Sequence, residues 1–590
     1  MSRRLTALRV GNFKAFAETQ RIPLKPITLI FGPNSAGKSS FIHSLALAHE
    51  AQFGRDKRNL ARLDIRHTDV GGSAIDLGGF RQYVHKGQLK RRVEWGADLS
   101  VAKLAGRISQ LLASVETVTI AIALGMELDN QDRPKPGATP RVEAVEISGD
   151  GVELLRMSRR RTDGQGSTLR LDRLHSEHQV FRQILKAIVE SATTSAEMRP
   201  EDFDSANVAI ADLVRTLEVN VDRFLPNAVS LPRGEEIEPS SAGMLFPVSK
   251  GNRREDIASA VRFYLPRTLN DLVKGLSDVL NDEVMRLQYL GPLRSFPPRH
   301  LAFAEHEDAN WYAGGGYAWD VVRNNEEVRN SVNEWLGADM LKTKSQLVVK
   351  AMIPELQGSS VIESELEDLL AELNPSPDKL EAPDGEGSEA DVSESAFRER
   401  FGVPSSDDSD PEETSDSFES WRGLDATTVA NWMMATISKD VEHVNELVLV
   451  DQSNRTQVSH RDVGIGISQV LPVLVLAFGS QNKLIAIEQP EIHLHPALQS
   501  ELADVFIESA LGGRQNTYIL ETHSEHLILR VMRRIREGVL SPSDVGIVFV
   551  KPDSNGSRFI DLRLDEDGDL IDDWPGGFFE EAFREKFAGR

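Results

Sequence analysis

Residues 31–40 read Phe-Gly-Pro-Asn-Ser-Ala-Gly-Lys-Ser-Ser, and no other stretch restricts the fold as tightly. The pattern is G-x-x-x-x-G-K-[ST], with an apolar run before it (Ile27 to Phe31) and a helix-like run after it (Lys38 to His49). Strand, loop and helix in that order make a phosphate-binding turn. The glycines let backbone N–H groups close round phosphate oxygens, and the helix N-terminus adds partial positive charge. In such a loop Lys38 reaches the β- and γ-phosphates and the Ser39 hydroxyl can ligate Mg²⁺. The stretch Gly32, Pro33, Asn34, Ser35, Ala36, Gly37, Lys38, Ser39 and Ser40 is thus expected to bind a nucleoside triphosphate; a turn that merely opens an ordinary helix needs neither flank.

At 590 residues the chain exceeds what one hydrophobic core usually organises, so several domains or large insertions are expected. The absence of cysteine excludes disulfides, thiolate zinc sites, iron–sulfur clusters and a cysteine nucleophile, and fits a reducing cytoplasm. The longest apolar run, near Val470 to Phe478, is too short to span a bilayer, so a soluble protein is expected. The net charge of −24 is concentrated: residues 361–420 hold 20 acidic against 3 basic side chains, an excess of 17. Basic clusters at Lys86 to Arg92 and Arg156 to Arg161 fit either phosphate-backbone contact or solvated strand ends.

Short strands are expected at Leu5 to Val10, Glu18 to Pro23 and Ile27 to Phe31, then an antiparallel meander over Arg92 to Leu99, Val115 to Leu128, Arg141 to Ser148, Gly151 to Arg156 and Ser167 to Leu171. Apolar spacing then turns helical in Val180 to Ala192, Ala206 to Phe224 and Ile257 to Leu280, without the sustained heptads of a coiled-coil arm. A compact turn, Tyr289-Leu290-Gly291-Pro292-Leu293-Arg294, carries a lone cation whose role is either a sensor or a structural ion pair. Residues 367–420 have a composition that cannot bury enough apolar surface to offset chain entropy, and read as a disordered insertion.

Chemistry resumes at Asp462-Val463-Gly464-Ile465-Gly466-Ile467-Ser468-Gln469, small residues at a helix start that suit either phosphate binding or a simple cap. Leu484-Ile485-Ala486-Ile487-Glu488 is an apolar run ending in a carboxylate, as in a buried parallel strand whose acid can hold the water shell of Mg²⁺. Gln489-Pro490-Glu491-Ile492-His493-Leu494-His495-Pro496 follows, and Thr517 to Glu521 forms another apolar strand before Thr522-His523-Ser524. His523 at that edge can donate to a γ-phosphate.

In this order the motifs resemble the ABC-type ATPases of the SMC, Rad50 and OLD group, most closely bacterial AAA-type ATPases with E-Q-P-E-x-H-L-H-P, E-T-H-S-E-H and a short C-terminal domain, of the kind found in anti-phage defence systems. The resemblance implies an α/β fold, a P-loop NTPase of ABC type with an N-terminal antiparallel β subdomain and an inserted helical lobe. It implies ATP and Mg²⁺ as cofactors, Ser39 and Glu488 as metal ligands, Gly464 to Gln469 (with Gly466, Ser468 and Gln469 as nucleotide contacts) as a degenerate signature, and His523 as a switch histidine. Ser468 would act in trans, closing ATP in a head-to-tail dimer that works on DNA or on a partner effector such as a nuclease, in defence or repair. The expected layout is 1–175 with 421–536 as the ATPase head, 176–290 a helical insertion, 291–360 a connecting segment, 361–420 the acidic insertion, and 537–590 a C-terminal domain too small for a complete nuclease.

Two departures bear on catalysis. Where many relatives have Asp then Glu, this chain has Glu488 then Gln489, an amide that cannot accept a proton. Hydrolysis is then slow, or Gln489 orients water, or Glu491 acts as the base; an ATP-binding sensor with little turnover is the alternative function. No clear Q-loop is present, and Gln82 is the candidate. Glu491, His493 and His495 do not have a metal site's spacing, and Asp565 to Asp569 reads as a hairpin turn and not a calcium loop.

Overall fold

All five residues of Ile27–Phe31 are buried, four of them apolar and the fifth Thr28, so this strand has to lie inside a sheet covered on both sides. It does so at the centre of a six-stranded sheet ordered Leu287–Leu290, Leu484–Glu488, Thr517–Glu521, Ile27–Phe31, Val545–Lys551 and Arg558–Leu562. All neighbours are parallel except the last pair. A computed structural model describes residues 4–54, 68, 70–72, 74–136, 138–159, 168–192, 199–230, 252–295, 310–337, 340–352, 444–453, 456–459, 465–577 and 579. The chain divides into two units, residues 1–348 with 448–590 and residues 349–447. Most of the second unit, including the acidic insertion, lies outside the described residues, as does Gly464. No helix among the described residues is long and apolar enough to cross a membrane.

The fold class agrees with the expectation: an α/β phosphate-loop core, an antiparallel sheet and a helical lobe. The antiparallel sheet has nine strands, in the order Leu225–Ser230, Glu218–Asp222, Thr168–Leu174, Val152–Ser158, Arg141–Gly149, Thr117–Gly125, Val93–Ser100, Leu5–Gly11 and Gln20–Pro23. The meander is there, each strand pairing with the next. The helix expected to run to Phe224 ends at Thr216, and a hairpin, Glu218–Asp222 with Leu225–Ser230, adds two strands to the sheet edge. The cause is local. Val219 and Val221 are buried while Asn220 between them is half-buried, a period of two, and Arg223 takes a positive φ of 59° in the turn.

The helical lobe covers this sheet. Its long helix, Arg253–Met285, buries Leu265, Leu269, Leu272, Leu276 and Leu280, spaced three or four apart, so one face packs continuously. The same core joins Trp95 and Phe224, whose rings meet edge to face at 5.3 Å, to Phe41 and Leu45 of the phosphate-loop helix.

One polar cluster is locked into the antiparallel sheet. Asp98, 1% exposed, accepts from Arg9 (2.8 and 3.2 Å), Arg21 (2.7 Å) and Thr119 (2.8 Å), which come from three other strands. Burial alone would raise its carboxyl, but the hydrogen bonds from Arg9, Arg21 and Thr119 outweigh that and hold it below the usual aspartate value. Asp98→Ala is expected to cost about 2–3 kcal/mol, because hydrogen bonds to a charged group are lost and Thr119 is left buried without its acceptor. A folded pKa below the unfolded value of about 3.9 means that this stability is present above that pH and disappears as pH falls through the folded value. Thermal unfolding at pH 7 and pH 3 should therefore show the gap between wild type and Asp98→Ala narrowing in acid.

Candidate active site

The phosphate loop is shaped by backbone that only certain residues tolerate. Gly32 and Gly37 sit at φ 147° and 102°, and Ser35 at 62°. A β-carbon at Gly32 would lie 2.6 Å from the Val550 carbonyl oxygen, and one at Gly37 would collide with the Ala15 side chain. Both glycines are thus required by close approach as well as by φ. The helix Lys38–Phe53 starts at Gly37 with no side-chain cap, so its first-turn N–H groups remain available to an anion. Asn34 and Ser35 are exposed at the tip; Ala36, Lys38 and Ser40 are buried. The loop is braced by Ser557, whose hydroxyl donates to the Ala36 carbonyl. A cavity of about 300 Å³ lined by residues including Gln20, His85, Lys86, Arg91 and Ser557 opens beside it.

Lys38 is 4% exposed and donates to the carbonyl oxygens of Gly32 (3.1 Å) and Pro33 (3.0 Å). Its ammonium lies 3.9 Å from Glu521, and burial pulls its pKa below the usual lysine value. The strand Thr517–Glu521 runs between the phosphate-loop strand and Leu484–Glu488, with Glu488 and Glu521 paired in register. Two carboxylates therefore stand side by side at the C-terminal edge of the parallel sheet, where such folds bind ligands. The Ser39 hydroxyl donates to Glu521 at 2.7 Å and lies close enough to Glu488 to stabilise its charge as well.

The two acids differ in environment. Burial, then the neighbouring charge of Glu488, push Glu521 up to about 7. Glu488 is also buried, which would raise it, but His43, Tyr289 and Ser39 together hold it below the usual glutamate value. The Tyr289 hydroxyl donates to Glu488 at 2.9 Å, and His43 Nε2 lies 3.3 Å from the same carboxylate. The other ring nitrogen of His43 is 2.6 Å from the Lys14 ammonium. A lysine only donates and a carboxylate only accepts, so a neutral His43 accepts at Nδ1 and donates from Nε2. Burial lowers Lys14 to about 8.

Glu491 is 8% exposed, and its Oε1 accepts the His523 backbone N–H at 2.7 Å. Its Oε2 has no hydrogen-bond donor among the described residues. Burial raises its pKa, whereas burial and then the Lys38 charge lower that of His523. Gln489 is half-buried at φ 46°, with its N–H bonded to the Glu521 carbonyl (2.8 Å), so the chain turns out of the sheet there.

The sequence reading placed Lys38, Ser39, Glu488, Glu491 and His523 in the site, and the fold brings all five to one sheet edge. It did not assign roles to Glu521, Tyr289, His43 or Lys14. The signal for Glu521 was the carboxylate that ends an apolar strand, the same feature that singled out Glu488. Gln82 is exposed on the short helix Phe80–Tyr83. Gly466, Ser468 and Gln469 open the helix Ile465–Gly479; Ser468 is 3% and Gln469 5% exposed, both covered by their own chain. A side chain at Gly466 would come within 4.0 Å of the His493 carbonyl and Leu494.

The donor set suits a hard divalent cation bound together with phosphate oxygens. Ser39, Glu488 and Glu521 offer only oxygen, and although Lys38 lies 3.9 Å from Glu521, burial and then the neighbouring Glu488 charge still raise that carboxyl, an excess of buried negative charge that a divalent cation would offset.

Residues 7–120 match a family profile described as an AAA domain, and residues 322–528 match one described as an AAA ATPase domain. The first spans the phosphate loop and the second spans Glu488, Glu491 and His523. No curated protein matches. Solved structures with similarity include the Smc head bound to the C-winged helix domain of ScpA (9% identity, 96% of this chain and 99% of that chain, TM-score 0.32). Others are the SMC head domain from Thermotoga maritima (8%, 95% and 100%, 0.31) and an Smc head domain with a coiled coil and joint from Pyrococcus yayanosii (12%, 96% and 98%, 0.28).

Proposed function

We propose that this chain is a cytoplasmic P-loop ATPase that binds ATP with Mg²⁺ and uses the nucleotide cycle as a conformational switch on DNA or on a partner effector such as a nuclease. The observation that carries the reading is the paired Glu488 and Glu521 sharing the Ser39 hydroxyl at the mouth of the phosphate loop. Ser39 with Glu488 and Glu521 would hold the magnesium ion, which when bound neutralises phosphate charge and orients the terminal phosphoryl group. The loop from Gly32 to Ser40 cradles the phosphates, and Lys38 exchanges its bonds to the Gly32 and Pro33 carbonyls for phosphate oxygens. His43 and Tyr289 fix Glu488 in one orientation. Glu491, buried and with one oxygen undonated, accepts the proton of the attacking water, while Gln489 helps orient it.

In this reading residues 1–175 and 421–536 form the head, completed by the sheet strands Leu287–Leu290, Val545–Lys551 and Arg558–Leu562, the helices within 176–290 are the insertion, and ATP joins two heads head to tail. Ser468 is covered in the isolated chain, so its contact with a second copy requires the start of its helix to open. Anti-phage defence or DNA repair is the setting that the motif resemblance suggests. The test is phosphate release by the purified full chain with ATP and Mg²⁺, together with its mass in solution by light scattering. Turnover with a mass that doubles in ATP is expected. Tight ATP binding without turnover and without a change in mass would replace this reading with that of a nucleotide-binding sensor.

A further inference from the structure

Arg294 is a buried cation of this region that the proposed chemistry leaves unused. It follows the edge strand Leu287–Leu290, whose register pairs Leu290 with Ile487, so the turn Gly291 to Arg294 rises beyond the C-terminal edge of the sheet alongside Glu488. The turn is pinned on both sides, by Gly291 N–H to the Ala313 carbonyl and Ser295 N–H to the Gly314 carbonyl, both 2.8 Å. Arg294 is only 7% exposed. One nitrogen, Nη2, donates to the Glu488 carbonyl at 3.3 Å; Nε and Nη1 are buried with no acceptor among the described residues. Glu491 attracts Arg294 electrostatically, yet its buried Oε2 has no hydrogen-bond donor among the described residues. A buried donor without an acceptor thus lies near a buried acceptor without a donor.

That arrangement is costly, since burying an unsatisfied guanidinium loses the hydration of its charge. Burial accordingly lowers the guanidinium to about 10. A structural ion pair would close the bond to Glu491. A group meant for a ligand would be held open by a pinned turn, as this one is.

We propose that Arg294 binds the terminal phosphoryl group of the nucleoside triphosphate through Nε and Nη1, from the same chain that supplies the phosphate loop, and so distinguishes triphosphate from diphosphate. The inference rests on the ATP-site reading above. The experiment uses the full chain with Arg294→Met, which keeps length without charge, and Arg294→Lys, which keeps charge without the fork. Affinities for ADP and for a β,γ-imido ATP analogue with Mg²⁺ are measured by calorimetry, and thermal unfolding is followed without nucleotide. The expected result for Arg294→Met is analogue affinity at least tenfold weaker, ADP affinity within about twofold of wild type, and a nucleotide-free Tm unchanged or raised. Arg294→Lys should be intermediate for the analogue, and it carries the test if the Met variant does not fold. Unchanged analogue affinity, or equal losses for both nucleotides with a lowered Tm, would overturn the proposal and leave the ATP site standing. Wild-type protein that binds neither nucleotide would remove the site reading and this inference with it.

Discussion

Lys38→Met is expected to lower ATP turnover by about 10²–10³-fold or more while leaving the fold intact, because in the proposed site the side chain serves the phosphate and not the core. The Lys38 ammonium is almost completely buried, donates to the Gly32 and Pro33 carbonyls of its own loop, and lies 3.9 Å from Glu521. Those bonds to a charged donor are each worth about 1.5–3 kcal/mol, and desolvating the ammonium costs several kcal/mol in return. The two nearly cancel, and a thioether of similar length fills the same slot. Tm without nucleotide should then shift by only a few degrees, whereas ATP and ADP affinity both collapse. Phosphate release and calorimetry on the same preparation separate these effects. A variant that loses tens of degrees of Tm would make Lys38 a structural residue and sink the assignment.

How much of this site could be read from the chain depends on how local each signal is. The phosphate loop carries its whole meaning in ten consecutive residues, since φ, close approach and helix start are all properties of that stretch. The meander was legible for a similar reason, as a period of two marks strands whose pairing order follows the chain. Ser39 and Glu521, by contrast, are 482 positions apart, and Tyr289 and Glu488 are 199 apart; only strand register puts them together. His43 and Lys14 carry no pattern of their own, because a histidine in a helix and a lysine in a turn acquire a role only once Glu488 is placed beside them. The hairpin at Glu218–Ser230 was hidden by its shortness: five-residue alternation that abuts a helix reads as the continuation of that helix. Ser468 is the opposite case. Its motif is local, but whether it faces a second copy depends on what covers it, and its own chain does.

The choice between Gln489 and Glu491 as the residue that activates water turns on the same distinction between pattern and placement. By position in the motif, Gln489 replaces the usual base and cannot accept a proton, so slow turnover would follow if that position alone mattered. In the proposed site Glu491 is the better base by placement: burial raises its pKa, the His523 N–H fixes Oε1, and Oε2 has no hydrogen-bond donor among the described residues. Glu491→Gln is nearly isosteric and keeps an acceptor for the His523 N–H while abolishing basicity. Turnover is expected to fall by about 10²–10⁴-fold with ATP affinity within a few-fold of wild type. Gln489→Ala should cost far less, because the backbone N–H that bonds the Glu521 carbonyl survives the substitution. Single-turnover phosphate release at saturating ATP, where binding no longer limits the rate, reads the chemical step directly. If Gln489→Ala abolished that step while Glu491→Gln spared it, the proton would have to leave without Glu491, and the orphaned Oε2 would be a cost of the fold with no catalytic return.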